Sequence, residues 1–201
     1  LDETSGPIAS DSAGANTGTL VNGPLWTSGR INGALSFDGV DDSISVTDSA
    51  SIYLTTAISL SSWFYARTVT DNTILAKRDY SGGEILNYQL AMDDGNIYFQ
   101  FFAGGAYHAV SSPSASITRN AWHHVAATYD QNTMRLYVDG VQVAATPDTT
   151  AMVSNTVPVS IGRAVRPSDS DFAPWDGYLD DVRLYNRALS ASDVQALYTA
   201  G

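Results

Sequence analysis

Apolar and polar residues alternate in short runs along most of the chain. The segment 58–66, ISLSSWFYA, places Ile58, Leu60 and Phe64 on one side. A period of two residues is typical of a strand with one buried face, because successive side chains of a strand point to opposite faces. Comparable runs occupy 35–39, 40–46, 87–92, 96–102, 123–130, 157–163 and 179–185.

Turn residues separate these runs at regular spacing. Asp93-Asp94-Gly95 lies between 87–92 and 96–102, and Asp139-Gly140 divides the run 134–146. Asp-Gly between two alternating runs predicts a β-hairpin. About a dozen short strands with turns between them predict an all-β fold, a two-sheet antiparallel sandwich.

One short helix is expected near the C-terminus. Ser190 and Asp193 have the spacing of a helix N-cap and its reciprocal partner three residues later, which is the capping-box pattern. Val194, Leu197 and Tyr198 then fall on one helical face at i, i+3 and i+4. We therefore predict a helical turn after Ser190 that packs through these three residues.

Length and composition favour a single domain spanning residues 1–201. Of the 201 residues, 44% are apolar, and there is no cysteine to form a disulfide. The net charge is −11, from 21 acidic and 10 basic residues, which disfavours nucleic acid and anionic membranes as partners. No apolar run approaches the roughly 18 residues of a membrane span. The chain begins abruptly at Leu1 in an apparent strand, so we expect a fragment of a larger modular protein.

A pair of aspartates opens the last predicted strand. Strand alternation places Asp180 on the same side as Val182 and Leu184, at the rim of the core. A buried carboxylate without a partner costs several kcal/mol. Two interpretations stay open: Asp180 binds a calcium ion, which prefers oxygen ligands, or it accepts hydrogen bonds from backbone amides or a nearby arginine.

Five segments carry a common family pattern: LDETSG with DSAG (1–14), GRINGALSFDGVDDSISV (29–46), AWHHVAATYD (121–130), MRLYVDGVQV (134–143) and GYLDDVRLYNRALSASDVQALY (177–198). Together, and in this order, they resemble the laminin-G-like members of the concanavalin A-like lectin/glucanase superfamily. The resemblance implies a jelly roll of two antiparallel sheets, one of them concave. It also implies a role beside catalytic domains in secreted polysaccharide-degrading enzymes, or in bacterial surface proteins.

The same resemblance implies one structural calcium ion on the side away from the concave groove. Its ligands would be Asp2 or Glu3 from the first strand, Asp38 with the Gly39 carbonyl, and Asp180. The neighbouring Asp41 and Asp42 are interpreted as turn residues.

The sequence offers few groups for catalysis. Glycosidases of this superfamily place two glutamates on one strand, whereas Glu3 and Glu84 are the only glutamates here and lie far apart. Motifs of jelly-roll lyases are also absent. His124 has three possible roles: a general base, a zinc ligand, or a structural histidine that bonds across strands. We favour the structural role, because catalysis requires a base oriented by a third group, and we expect a non-catalytic domain.

Aromatic rings and planar polar groups are the candidate ligand-binding residues, because sugars present both apolar ring faces and paired hydroxyls. Strand alternation and loop position select Arg78, Tyr80, Tyr98, Gln100, Tyr107, Arg135, Tyr137, Arg163 and, at the end of the Pro-rich loop 166–175, Trp175. For an acidic ligand, Arg78 and Arg163 would bind the carboxylate or sulfate. The alternative is that both arginines pair with surface aspartates.

Two functional hypotheses follow. The first is a monomeric carbohydrate-binding module with a structural calcium ion, attached to a catalytic domain in a secreted or cell-surface bacterial protein and binding a polysaccharide or oligosaccharide. The second is a protein-interaction or adhesion module of a modular bacterial surface protein. An unrecognised hydrolase or lyase is the least favoured interpretation, because no set of residues meets the geometric requirements of catalysis.

Overall fold

The computed structural model describes residues 1–79, 83–114, 116–164 and 173–201. Strands dominate these residues, as the alternation predicts. In chain order they are β1 (Ile8–Ala9), β2 (Gly18–Val21), β3 (Leu25–Ser28), β4 (Gly33–Asp38), β5 (Ser43–Val46), β6 (Ile58–Ala66), β7 (Asn72–Asp79), β8 (Ile85–Asp93), β9 (Asn96–Ala103), β10 (Ala106–Ser111), β11 (Trp122–Tyr129), β12 (Thr133–Val138), β13 (Val141–Pro147), β14 (Val159–Ile161) and β15 (Asp176–Tyr185). A short 3₁₀ turn covers Ala50–Ile52, and one α-helix, α1, covers Ala191–Thr199.

The strands form two antiparallel sheets that pack face to face. The eight-stranded sheet has the order β1-β2-β5-β14-β7-β8-β9-β10, and the seven-stranded sheet has the order β13-β12-β11-β6-β15-β4-β3. Every pairing is antiparallel. The prediction of a two-sheet antiparallel sandwich is confirmed. No helix in the described ranges has the length and apolar character needed to cross a membrane.

The core lies between the sheets and is built from alternate residues of each strand. Along β9, Ile97, Phe99 and Phe101 are fully buried, whereas Tyr98 and Gln100 point to the outer face and stay partly exposed. Burial of one such large apolar side chain contributes about 1.5–3 kcal/mol. The aromatic and aliphatic side chains of the inner faces therefore supply most of the driving force for the sandwich.

Both predicted hairpins form, and their turns explain the Asp-Gly pairs. Asp94 and Gly95 have φ of 46° and 74°, and Asp139 and Gly140 have φ of 49° and 78°. Two successive residues with positive φ give a turn whose twist matches that of the flanking strands. Aspartate tolerates this region and glycine adopts it without steric cost, so the sequence pair specifies the turn.

Helix α1 covers part of the outer face of the seven-stranded sheet. The capping box is present: the Ser190 hydroxyl accepts a hydrogen bond from the Asp193 amide, and the Asp193 carboxylate accepts one from the Ser190 amide at 3.0 Å. Val194 packs with Ala126 and Tyr137 in a second apolar cluster. Tyr137 does point outward from its strand as predicted, but the predicted exposure is wrong, because the helix leaves it only 2% exposed.

His124 is a buried structural residue beneath the same helix. Its ring lies 5.3 Å from the Trp63 ring and 6.3 Å from the Tyr198 ring, and only 2% of the residue is exposed. Its backbone amide donates to the Asp139 carboxylate at 2.8 Å. Burial lowers the pKa of His124 to about 4, so the ring is neutral at physiological pH. This environment supports the structural role over that of a general base.

Gly177 occupies a position on β15 that only glycine fits. Its φ is +144°, and a Cβ atom there would overlap the carbonyl oxygen of Tyr65 on β6. We expect Gly177→Ala to destabilise the protein by roughly 3 kcal/mol or more, because the backbone of the central strand pair would have to move apart. Unfolding in urea measures the change.

Gly104 provides the matched control for that substitution. Its φ is +59°, and a Cβ atom would meet nothing within 4 Å. Gly104→Ala should therefore cost only the backbone strain, about 1 kcal/mol. Equal losses in the two variants would show that positive φ alone, and not the approach of β6, explains the glycine at 177.

The buried His124 predicts a pH dependence of stability. The unfolded histidine titrates near 6.5, and the folded one near 4. Between these values the unfolded state binds more protons, so stability is present above pH 6.5 and is lost as the pH falls toward 4. As the pH falls from 6.5 to 4, His124 should lower the free energy of unfolding by an amount on the order of 3 kcal/mol, and we expect His124→Gln to remove this loss. Urea unfolding of both proteins from pH 4.5 to 7 checks this, and parallel pH profiles would contradict it.

Candidate functional site

A polar and aromatic cluster lies on the outer face of the eight-stranded sheet, across β7 to β10. Paired residues of adjacent strands point to the same face. Gln100 is paired with Gln89 on β8, and Tyr107 on β10 is paired with Phe102 on β9. Because Gln100 and Phe102 face outward, their partners do so too. The outer-face cluster is defined here as Thr73, Arg78, Glu84, Gln89, Tyr98, Gln100 and Tyr107.

Arg78 holds the centre of the outer-face cluster. Its Nε and Nη2 donate to the two carboxylate oxygens of Glu84 at 2.9 and 3.0 Å, a bidentate ion pair. Its Nη1 donates to Gln89 Oε1 at 2.6 Å. Only 8% of Arg78 is exposed. Such a pair is geometrically well fixed, because both partners are planar.

Tyr107 presents the most exposed aromatic ring of the outer-face cluster. Its hydroxyl donates to Glu84 Oε2 at 2.6 Å and accepts from Arg78 Nη2 at 3.0 Å. Partial burial and the hydrogen bond to Glu84 raise the pKa of Tyr107. The residue is nevertheless 51% exposed. The polar end is therefore held in place while part of the ring remains open to solvent.

A row of amides continues the outer-face cluster toward β7. Gln100 Nε2 donates to Gln89 Oε1 at 2.9 Å, and Gln89 Nε2 donates to Thr73 Oγ1 at 3.2 Å. Gln89 is fully buried although it points outward. Burial raises the pKa of Tyr98 to about 12, so its hydroxyl stays protonated. The arrangement combines fixed amide groups, a hydroxyl and an exposed ring, which is the chemistry that binds hydroxyl-rich molecules.

Four of the predicted sugar-binding residues meet in this cluster: Arg78, Tyr98, Gln100 and Tyr107. Tyr80 lies outside the described residues. Arg135 lies on β12 of the other sheet, where its Nη1 donates to Asp130 Oδ2 at 2.9 Å. Tyr137 lies on the same strand, so neither residue joins the outer-face cluster, which belongs to the other sheet.

Trp175 and Arg163 also lie outside the outer-face cluster. Trp175 is fully buried and packs edge-on against Phe64, with ring centroids 5.7 Å apart. The prediction of Trp175 as an exposed stacking residue is wrong, because the chain carries it into the core just before β15. Arg163 Nη1 donates to the backbone carbonyl of Asp41 at 2.9 Å.

Three members of the cluster were missed from the sequence. Gln89 could have been found, because the turn at Asp94-Gly95 pairs Asp93 with Asn96 and thereby Gln89 with Gln100. The Glu84 carboxylate lies six residues from Arg78, across a loop whose course the sequence does not reveal. Thr73 depends on the pairing of β7 with β8.

Two of the predicted calcium ligands, Asp38 and Asp180, lie too far apart to bind one ion. Asp38 is paired with Asp176, and Asp180 lies four residues further along β15. At about 3.3 Å per residue, the two positions are about 13 Å apart. A single ion contacts its ligands at about 2.3–2.6 Å, so the prediction that Asp38 and Asp180 share one ion is wrong.

Backbone amides bind one oxygen of each of Asp180, Glu3 and Asp2, whereas Glu3 Oε2 is buried and has no hydrogen-bond partner among the described residues. Asp180 is 1% exposed, and its Oδ2 accepts from the Ile31 amide at 2.7 Å. Burial raises the pKa of Asp180, and the Ile31 amide opposes that rise. Glu3 Oε1 accepts from the Ser10 amide at 2.8 Å, and Asp2 Oδ1 accepts from the Gly33 amide at 3.3 Å. The Ile31 amide supports the amide interpretation of the buried Asp180 carboxylate, and a calcium ion at Asp180 stays a prediction.

A different acidic group has the geometry of a possible cation site. One carboxylate oxygen each from Asp38, Asp41 and Asp42 lies within 4.8 Å of the others. Asp42 is 6% exposed, and burial, together with the nearby Asp38 and Asp41 charges, raises its pKa. The Asp38 amide donates to Asp42 Oδ2 at 3.0 Å. The interpretation of Asp41 and Asp42 as turn residues does not consider their carboxylates. A hard cation could bind both of these carboxylates.

A cavity of about 560 Å³ opens between the two sheets. Its walls include Ile44, Val46 and Leu75 from one sheet and Val182 and Leu184 from the other. Polar side chains, among them Ser10, Asn16 and Arg183, also line the cavity. The outer-face cluster is preferred as the candidate site for a sugar, because it combines fixed amide groups with a half-exposed aromatic ring.

Comparison with known proteins places this geometry in a family. The model described as the concanavalin A-like lectin/glucanases superfamily, Laminin_G_3, matches residues 38–195. A curated relative, adhesion G-protein coupled receptor V1 of Danio rerio, is 23% identical over 147 residues, which is 69% of this chain and 2% of the receptor. The chain thus spans a small part of that relative's length.

Solved structures share the fold at low identity. The binding domain of Paraclostridial Mosquitocidal Protein 1 has a TM-score of 0.70 at 16% identity, covering 96% of this chain and 51% of that one. Domain 4 of AbnA, an extracellular arabinanase of Geobacillus stearothermophilus in complex with arabinotriose, has a TM-score of 0.68 at 19% identity. That match covers 90% of this chain and 87% of the arabinanase domain. The ligand-binding domain of botulinum neurotoxin serotype D, in complex with N-acetylneuraminic acid, has a TM-score of 0.67 at 15% identity. That match covers 92% of this chain and 46% of the neurotoxin chain. The chain belongs to the Laminin_G_3 family of the concanavalin A-like lectin/glucanases superfamily, and its two-sheet sandwich is a jelly roll.

Proposed function

We propose that the chain is a non-catalytic carbohydrate-binding module that holds its ligand on the outer-face cluster. The observation that carries this proposal is the half-exposed ring of Tyr107, fixed through its hydroxyl by Glu84 and Arg78. An aromatic face held in one orientation stacks on the apolar face of a sugar ring. The neighbouring Gln100 amide supplies hydrogen bonds to sugar hydroxyls.

The hydrogen bonds within the outer-face cluster favour binding, because they order the side chains before a ligand arrives. Ordering a rotamer-rich side chain at an interface costs about 0.5–1.5 kcal/mol. Arg78, Gln89 and Gln100 are already linked by hydrogen bonds of 2.6 and 2.9 Å. A ligand would therefore meet a surface that loses little further freedom on binding.

Two of the structural neighbours support a sugar ligand. The arabinanase domain is described in complex with arabinotriose, and the neurotoxin domain with N-acetylneuraminic acid. Since the arabinanase domain is part of an extracellular enzyme, we propose that this chain is likewise one domain of a larger secreted or cell-surface bacterial protein. A polysaccharide-degrading domain in the same protein would give the module its role, which is to hold the enzyme on its substrate.

The positions of the two glutamates support a binding role over hydrolysis. Glycosidases need two carboxyl groups about 5–9.5 Å apart, flanking the scissile bond. Glu84 is engaged by Arg78 and Tyr107, and Glu3 accepts a hydrogen bond from the Ser10 amide. Glu84 is therefore held in an ion pair and is not placed as the free acid or base that hydrolysis requires.

One observation favours a second candidate function. The curated relative is an adhesion receptor, so an adhesion module that binds a protein partner is the alternative. The two candidates differ in whether binding to a cell-surface extract survives removal of its glycans.

We also propose that Asp38, Asp41 and Asp42 hold a structural calcium ion, with backbone carbonyls such as that of Gly39 completing its oxygen ligands. Three carboxylates grouped within 4.8 Å repel one another unless a cation or protons compensate them. Calcium accepts six to eight oxygen ligands, which suits this set. The ion would join the end of β4 to the start of β5, near the paired residue Asp176.

The sugar proposal predicts that Tyr107→Ala weakens glycan binding at least tenfold, because the stacking face is lost. Affinity gels with plant and algal polysaccharides identify the ligand, and titration calorimetry then measures its affinity. Arg135→Ala should bind as tightly as the unchanged protein, since Arg135 lies on the opposite sheet. Equal affinity of both variants would contradict the proposed location of the site.

The calcium proposal predicts a melting temperature that rises with added calcium. A ligand of the folded state contributes about 2.7 kcal/mol at one hundred times its dissociation constant, or about 5–11 °C for a domain of this size. Asp42→Asn should abolish the difference between calcium and EDTA in thermal melts. Asp180→Asn should lower the melting temperature but keep that difference. A melting curve of the unchanged protein that calcium does not move would overturn the proposal.

A further inference from the structure

The ion pair between Arg78 and Glu84 in the outer-face cluster affects which class of glycan the site can bind. We infer that the site selects neutral glycans and discriminates against uronic-acid-containing ones. This inference rests on the proposed function and specifies its ligand. The carrying observation is that the only arginine of the outer-face cluster is already paired with a carboxylate of the same cluster.

The geometry of that pair leaves little of Arg78 to an incoming carboxylate. Glu84 occupies the Nε and Nη2 edge of the guanidinium, and Gln89 occupies Nη1. The side chain of Arg78 is 6% exposed and that of Glu84 is 15% exposed. A ligand carboxylate would have to displace Glu84, and the displaced glutamate would then be a mostly buried charge without its partner. Losing one partner of a buried pair costs several kcal/mol.

The surrounding charges add to this discrimination. The whole chain carries a net charge of −11, and such a field raises the free energy of an approaching anion. Lys77, on the same strand as Arg78, is fully buried and pairs with Asp48. Neither of the two cations of β7 is therefore presented to an acidic sugar.

A neutral sugar meets none of these obstacles. The exposed part of the Tyr107 ring accepts a sugar face without any ion pair being broken. Gln100 uses Nε2 to bind Gln89, and its carbonyl oxygen is available in the described part of the chain to accept from a sugar hydroxyl. Neutral hydroxyls bind such groups without the desolvation cost of a carboxylate.

Glu84→Gln is the substitution that tests the inference. It keeps the shape of the glutamate but removes its charge, so Arg78 loses the carboxylate with which it forms this ion pair. The probes are trigalacturonate as the acidic sugar, and arabinotriose, xylotriose and galactotriose as neutral ones, each titrated by calorimetry. We expect the unchanged protein to bind at least one neutral probe at least tenfold tighter than trigalacturonate. In Glu84→Gln that preference should fall by at least tenfold.

Asp94→Asn is the matched control, because it makes the same change in net charge at an exposed turn residue of the β8–β9 hairpin. Its preference should equal that of the unchanged protein. The double variant Arg78→Met with Glu84→Gln should lose the gain in trigalacturonate affinity. Thermal melts confirm that each variant is folded before titration.

The outcomes separate the inference from the function on which it rests. Trigalacturonate bound as tightly as the best neutral probe by the unchanged protein overturns the selectivity and leaves the sugar-binding function standing. An equal shift in Glu84→Gln and Asp94→Asn also overturns it, because the effect would then be one of net charge. Binding of no probe, and of no polysaccharide on affinity gels, overturns both.

Discussion

The insertion of β15 between β4 and β6 is the constraint on which the rest of the sandwich depends. This strand is the last along the chain, yet it lies inside the seven-stranded sheet and joins segments from the first third of the sequence. Its pairing with β6 requires the glycine at 177, where the two backbones approach closely. Because such long-range pairing forms only after large loops have closed, the sheet is completed by residues that are distant in sequence from their partners.

The same insertion explains where sequence reasoning succeeded and where it failed. Alternation identifies strands and their inner faces, as at Ile97, Phe99 and Phe101, because a period of two is local. It does not reveal what covers an outer face. Ser59 points away from the core but is buried. The segment before helix α1 covers it: the Ser59 hydroxyl donates to the Arg187 carbonyl and accepts from the Leu189 amide. The register of β15 against β4, which separates Asp180 from Asp38, is likewise invisible without the fold.

The outer-face cluster shows the same division. Tyr98 and Gln100 were accessible from strand alternation, and Gln89 follows from the hairpin turn. The pairing of Arg78 with Glu84 depends on how the chain crosses between β7 and β8, and no local pattern encodes that path. The sequence therefore predicted residue types that suit a sugar-binding face, but not the ion pair within it, on which the proposed choice of sugar depends.

The surplus of aspartate has a common structural explanation. Asp180, Asp139 and Asp148 accept hydrogen bonds from the backbone amides of Ile31, His124 and Thr150, at 2.7 to 2.8 Å. A short carboxylate bonded to amide groups in turns needs no cationic partner. With 21 acidic and only 10 basic residues, the chain has more carboxylates than cations to pair with them, and backbone amides bind part of the surplus. Five arginines pair with carboxylates in the described residues. The bidentate pair of Arg78 and Glu84 differs from the other four because it is mostly buried although it lies on an outward face. Removing both charges from water is costly, and the proposed function gives a reason for that cost, because a binding surface for neutral sugars needs an ordered and electrically neutral set of donors and acceptors.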